Sequence, residues 1–157
     1  MSINVNFTLD GVGMARCSVT SENVHCEITA SDLSDALGDL LLAATAALSG
    51  FHSISFGFDE EPGEYRWIIE TISAQRLKVQ ILEFPQLWGL RPNSEGKVLF
   101  QAEVDSLEFG RAVQAAATNV LATHGVGGYA KLWMLCPFPS EHLRVLTNSI
   151  DRAVHAA

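Results

Sequence analysis

The feature that most constrains the fold is a change in the spacing of apolar residues near Ser31. Before Ser31, apolar side chains recur at every second residue, a pattern typical of strands with one buried face. After it, Leu33, Leu37 and Leu41 lie on one face of a helix. Strand alternation returns after Gly50. Strands, one helix and further strands, without regular βαβ alternation, predict an α+β fold.

The strand segments indicate how that sheet is built. Short connections join most successive segments, so neighbouring strands should be antiparallel. Residues 65–72 are apolar on both faces, which favours a central strand, and residues 85–96 form a loop rich in proline, glycine and asparagine. We expect one antiparallel sheet of about six to seven strands, with helices packed on one face. The strands are centred on Val5, Cys17, Cys26, Phe56, Trp67, Val79 and Phe100.

Three helices are predicted to begin near Ser31, Asp105 and Ser140. Ser31 and Asp105 are residue types that cap helix N-termini, and the second helix should end near residues 124–125, where a glycine follows a histidine. On the first helix, three aspartates lie opposite the apolar face and predict a solvated acidic surface. They are Asp32, Asp35 and Asp39.

Length and charge narrow the class of protein. A chain of 157 residues predicts a single domain spanning residues 1–157. The N-terminus lacks a secretory pattern and the most apolar stretch, residues 36–48, is too short to span a membrane, so we expect a cytoplasmic protein. A net charge of −8 argues against nucleic-acid binding and favours a basic protein partner.

The cysteines indicate neither a metal site nor a disulfide scaffold. Cys17, Cys26 and Cys136 lack the paired spacing of zinc ligands. A hairpin that turns at residues 21–22 would place Cys17 opposite Cys26 on the neighbouring strand. We expect all three thiols to be reduced in a cytoplasmic protein.

No catalytic motif is evident. The five histidines are scattered and form no metal-ligand motif, while the glycine pairs lack the context of a nucleotide-binding loop. Cys136 and His142 are close in sequence, but two prolines separate them and no orienting group can be assigned. We therefore expect no catalytic residues, no metal and no cofactor. An enzyme assembled from distant residues would depend on His25, His52 or Cys136.

Two surface features are candidates for partner binding. Asp59, Glu60, Glu61 and Glu64 concentrate negative charge at one hairpin turn, without a cation among them. That field would attract a basic partner. Trp88, in the loop of residues 85–96, either anchors a partner or folds into the core as part of a lid.

Two segments carry a resemblance to a known class of proteins. Residues 59–67 (DEEPGEYRW) lead into a strand, and residues 84–88 (FPQLW) follow the next one. Together with the acidic α+β character, they resemble the immunity proteins encoded beside bacterial polymorphic or contact-dependent growth-inhibition toxins. The resemblance implies that the chain binds and neutralises a cognate toxin, and it carries over no catalytic residue.

The sequence thus supports three hypotheses for function. The leading one is a protein-binding inhibitor whose partner is a basic toxin domain. The second is a small-molecule-binding α+β domain with a pocket beneath its helices, which a large dry cavity would favour. The third is an enzyme assembled from distant residues, which a buried polar pocket around perturbed histidines would favour.

Overall fold

The computed structural model describes residues 2–156 and confirms the α+β class. The first strands form an antiparallel sheet in the order β1-β2-β3. Alternate side chains on each of these strands are buried, among them Phe7 and Val19, as the alternation predicts. The strands are β1 (Asn4–Leu9), β2 (Met14–Ser21) and β3 (Val24–Ser31).

The predicted register of the β2–β3 hairpin is wrong by two residues. The turn is formed by Glu22 and Asn23, so Cys26 pairs with Val19 and Cys17 pairs with Ile28. Both thiols are free and face the same buried side of the sheet as diagonal neighbours. Burial raises the pKa of both thiols, that of Cys26 to about 11.

A second antiparallel sheet has the strand order β4-β5-β6-β7. Its strand β5 lies between two neighbours and buries Trp67 and Ile69 on one face and Ile68 on the other. The predicted central strand is therefore confirmed. The strands are β4 (Ser53–Glu60), β5 (Gly63–Ser73), β6 (Arg76–Phe84) and β7 (Lys97–Asp105).

The expectation of a single sheet is wrong, because the seven strands divide into sheets of three and four. Side chains bridge the two sheets where β3 approaches β4. The Ser31 hydroxyl donates to the backbone oxygen of Asp59 at 2.9 Å, and the Asp59 amide donates to the Ser34 hydroxyl at 3.3 Å. The main-chain hydrogen-bond ladders of the two sheets do not continue across this junction.

One helix begins later than the sequence predicts, and one helical segment is not predicted at all. Ser31 still belongs to β3, and the first helix is capped by Asp35, whose carboxylate accepts from the Gly38 amide at 3.2 Å. The second helix is interrupted at Gly125, whose φ of 68° and ψ of 173° are not helical, so the predicted end near residues 124–125 is confirmed. A further helical segment that the sequence does not predict follows it. The helices are α1 (Ala36–Leu48), α2 (Ser106–Leu132) and α3 (Ser140–Ala156).

The predicted starts of α2 and α3 are confirmed. Asp105 caps α2 by accepting from the amides of Leu107 and Glu108 at 2.9 and 3.2 Å. One apolar core contains buried residues from both sheets and all three helices. No helix within residues 2–156 has the length and apolar character needed to cross a bilayer.

Candidate functional site

The acidic hairpin turn is shorter than the sequence indicates. Strand β4 extends to Glu60 and β5 begins at Gly63, so only Glu61 and Pro62 form the turn. Asp59 pairs with Glu64 across the two strands. This short turn keeps the four predicted carboxylates at one end of the four-stranded sheet.

Glycine at position 63 allows this end of the sheet to close tightly. A Cβ atom at Gly63 would overlap the carbonyl oxygen of Phe84 on the neighbouring strand β6. A larger residue would force the two strands apart. The close approach therefore fixes the hairpin turn against the end of β6, where the loop of residues 85–96 begins.

One of the four carboxylates has a cationic partner from the adjoining part of β5. The guanidinium of Arg66 contacts Glu64 at 3.1 Å, and both side chains are largely buried. No cation among residues 2–156 lies within ion-pair distance of Asp59, Glu60 or Glu61. Their charges therefore remain available to an external partner.

Arg66 also fixes the loop of residues 85–96 to this hairpin. Its guanidinium lies 4.1 Å from the centre of the Phe84 ring and donates to the backbone oxygen of Arg91 at 2.7 Å and to Asn93 Oδ1 at 2.9 Å. At the other end of the loop, the Leu87 amide donates to the backbone oxygen of Pro62 at 2.7 Å. The loop and the acidic turn therefore form one continuous surface.

Trp88 lies on that surface with its side chain in solvent. The residue is 70% exposed and Leu90 is 90% exposed, so the alternative in which Trp88 folds into the core is wrong. Both residues have left-handed backbone conformations, with φ of 57° and 53°, which are unfavourable for non-glycine residues. We call Asp59, Glu60, Glu61, Glu64, Trp88 and Leu90 the hairpin-loop surface.

Trp88 and Asp59 lie close to each other within this surface. Burial raises the pKa of Asp59, and the neighbouring Glu64 charge adds to this effect. The indole N–H of Trp88 opposes it by favouring the charged form of the carboxylate. All five residues that the sequence indicates for partner binding are therefore brought together, although they come from two separate segments.

Two further residues of this region, Glu83 and Tyr65, are not predicted from the sequence. Leu90 is one of the leucines that flank Trp88 in the predicted loop, and it is 90% exposed. Glu83 and Tyr65 line a cleft of about 280 Å³ beside the turn, together with Glu60 and Glu61. Tyr65 is next to the acidic segment in sequence, but Glu83 comes from β6 and gives no sequence signal.

A second acidic group extends the negative field along α1. Asp39 is partly buried, and burial raises its pKa to about 6, with further contributions from Asp35 and Asp59 and an opposing one from His142. The solvated acidic helix face predicted for Asp32, Asp35 and Asp39 is therefore wrong, because Asp32 and Asp35 precede α1 and Asp39 is partly buried. This carboxylate links α1 electrostatically to the hairpin-loop surface.

The candidate catalytic residues are not assembled into a reactive site in the described part of the chain. Burial and the charges of Asp35, Asp39 and Asp32 raise the pKa of the Cys136 thiol, which makes it a poor nucleophile at neutral pH. His25 and His52 are exposed, and the Nδ1 atom of His25 lies 2.8 Å from the Thr20 hydroxyl. Across residues 2–156, no three His, Cys, Asp or Glu side chains are placed to hold a metal ion.

Comparison with known proteins gives no relative for this chain: no protein-family model, curated protein or solved structure matches it.

Proposed function

We propose that this protein is a cytoplasmic binding inhibitor, most concretely an immunity protein that binds and neutralises a basic bacterial toxin. Its binding site is the hairpin-loop surface. The observation that carries the proposal is the presence of an exposed tryptophan beside unpaired carboxylates on a well-fixed hairpin.

The apolar residues of this surface favour burial by a partner. Trp88 and Leu90 gain little from packing within the chain, since both are mostly exposed. The surrounding loop is nevertheless held by hydrogen bonds from Arg66 and Leu87. The backbone of a loop held in this way loses little conformational freedom on binding, and a buried tryptophan contributes strongly to protein interfaces.

The charges of the surface favour a basic partner. Asp59, Glu60 and Glu61 have no cationic partner among residues 2–156, and the whole chain carries a net charge of −8. Such a field accelerates encounter with a cationic protein. A nuclease toxin presents a cationic surface because its substrate is a polyanion, so an acidic inhibitor could occupy that surface.

Affinity capture from the native host tests this proposal. The tagged chain is compared with a surface variant, Asp59→Asn with Glu60→Gln and Glu61→Gln, and with a matched control, Glu22→Gln with Glu70→Gln and Asp151→Asn. The control removes three exposed carboxylates that lie outside the hairpin-loop surface. We expect the wild type and the control to retain a basic protein that the surface variant loses.

The captured protein is then expressed alone and together with each form of the chain. Growth inhibition by the captured protein, relieved by the wild type and the control but not by the surface variant, is the expected result. Capture that is unaffected by the surface variant would contradict the proposed site. A captured partner without toxicity would contradict the immunity role.

A further inference from the structure

The cleft beside the hairpin turn has the size of a site for one side chain. Its volume is about 280 Å³, which is at the lower limit for small-ligand pockets. Pro62, Tyr65 and Pro85 contribute apolar surface to the cleft, and Glu60, Glu61 and Glu83 contribute carboxylates. The cleft therefore combines apolar walls with negative charge.

Three of the four glutamates that line the cleft are not neutralised by the part of the chain that the structure describes. Arg66 binds Glu64, but no cation among residues 2–156 lies within ion-pair distance of Glu60, Glu61 or Glu83. The Oε2 atom of Glu60 is also buried from solvent without a hydrogen-bond donor in the described part of the chain. The negative charge of the cleft is therefore not balanced by the described residues, which favours a cationic group in it.

The arrangement of the carboxylates favours an organic cation over a metal ion. They come from β4, from the turn and from β6, and they do not converge to metal-ligand geometry within residues 2–156. A guanidinium presents five donors in a plane, stacks on flat apolar groups and is less strongly hydrated than an ammonium ion. These properties match several separated acceptors around apolar walls.

We propose that this cleft binds the guanidinium of an arginine supplied by the protein partner. This inference rests on the proposed function, because the partner provides the arginine. The guanidinium donates to Glu60 and to Glu83 or Glu61, while its plane lies against the apolar walls. Trp88, on the adjoining loop, then contacts the partner next to this arginine.

Titration with N-acetyl-L-arginine amide tests the cleft without any partner. Backbone amide resonances of the ¹⁵N-labelled chain are followed by NMR at Glu60, Gly63 and Glu83. The uncharged isostere N-acetyl-L-citrulline amide and the lysine analogue serve as matched ligands. We expect saturable shifts at these residues with the arginine amide, at least fivefold weaker binding of the lysine amide, and no saturable response to citrulline.

Glu60→Gln should weaken arginine-amide binding at least fivefold, whereas Glu22→Gln, in the turn of the other sheet, should leave it unchanged. Glu83→Gln provides a second test if Glu60→Gln perturbs resonances away from the hairpin. The proposal is overturned if no saturable shift occurs at the cleft, if citrulline binds equally well, or if the shifts centre on Asp35 and Asp39.

The two proposals can fail separately. A captured protein that still binds Glu60→Gln and Glu83→Gln with wild-type affinity would leave the proposed function intact and overturn the arginine site. Arginine-amide binding at the cleft without any captured protein partner would support the arginine site and contradict the proposed function.

Discussion

Replacing Asp39 by asparagine should stabilise the protein at neutral pH. Burial is the main cause of the raised pKa of this carboxylate, and the charges of Asp35 and Asp59 add to it. Asparagine has a similar shape and carries no charge, so it avoids these costs. The gain should increase as the pH rises, because only the ionised form of Asp39 is disfavoured.

The expected magnitude follows from the pKa. An increase from 3.8 to about 6 corresponds to at most about 3 kcal/mol, and partial exposure reduces this to about 1–2 kcal/mol. Asp39 lies in the first turn of α1, so the variant also loses a favourable interaction with the helix dipole of about 0.3–1 kcal/mol. The net stabilisation should be about 1 kcal/mol near pH 7.5.

The sign of the pH dependence follows from the same pKa. A carboxyl group whose pKa is higher in the folded state binds its proton more tightly there than in the unfolded chain. Its contribution to stability is fully present below the ordinary pKa of 3.8 and is lost as the pH rises through about 6. The advantage of Asp39→Asn should therefore be smallest near pH 4 and largest above pH 7.

Urea unfolding at several pH values measures this effect. Asp151→Asn, at an exposed position of α3, is the matched control and should show no comparable pH-dependent gain. In thermal unfolding at pH 7.5, the Tm of the Asp39→Asn variant should be about 2–4 °C higher than that of the wild type. An equal free-energy change at pH 4 and pH 7.5, or a loss of stability at both, would refute the reasoning.

Two further predictions concern the packing of the sheets. Gly63→Ala should destabilise the protein by about 1–3 kcal/mol, because the added Cβ atom would overlap the Phe84 carbonyl oxygen. Thermal unfolding measures this loss of stability. Gly127→Ala is the control and should cost no stability, because a Cβ atom at this position of α2 would meet open space. Alkylation of the native protein without reductant should modify the half-buried Cys136 before Cys17 and Cys26, and denaturation should expose all three free thiols. Mass spectrometry that finds Cys17 and Cys26 protected after denaturation would reveal a disulfide and contradict the second prediction.

The sequence predicts the strands better than their register. A shift of two residues along a strand keeps the same side chains on the same face, since side chains alternate with a period of two. The apolar pattern therefore cannot distinguish a turn at residues 21–22 from the observed turn at Glu22 and Asn23. Only the local backbone preference of the turn decides between them.

Tertiary contacts explain the later start of α1 and the unpredicted helical segment beyond Gly125. Several residues between positions 31 and 35 are able to cap a helix, and the bonds that Ser31 and Ser34 make with Asp59 come from a distant strand. Beyond Gly125, the second half of α2 is held by burial of Tyr129, which precedes the equally buried Trp133. Neither contact is visible in a local sequence window.

The candidate site shows the same division between local and distant information. The sequence locates the acidic turn because its carboxylates are adjacent, and it identifies Trp88 because this residue lies beside leucines in a loop bounded by prolines. It cannot show that Arg66 and Pro62 hold that loop against the turn. It also cannot show that Asp39 and Glu83 join the acidic region, since both come from other elements.

The central claim is that the hairpin-loop surface attracts a basic protein and anchors it through Trp88. Binding kinetics with the captured partner test this claim most directly. Surface plasmon resonance compares the wild type, the Asp59, Glu60 and Glu61 surface variant, its matched control and Trp88→Ala at several salt concentrations. The surface variant should associate more slowly and with a weaker salt dependence. Trp88→Ala should dissociate about 25-fold faster or more, as expected for a loss of about 2 kcal/mol of binding free energy. Unchanged association and dissociation rates in both variants would contradict the account.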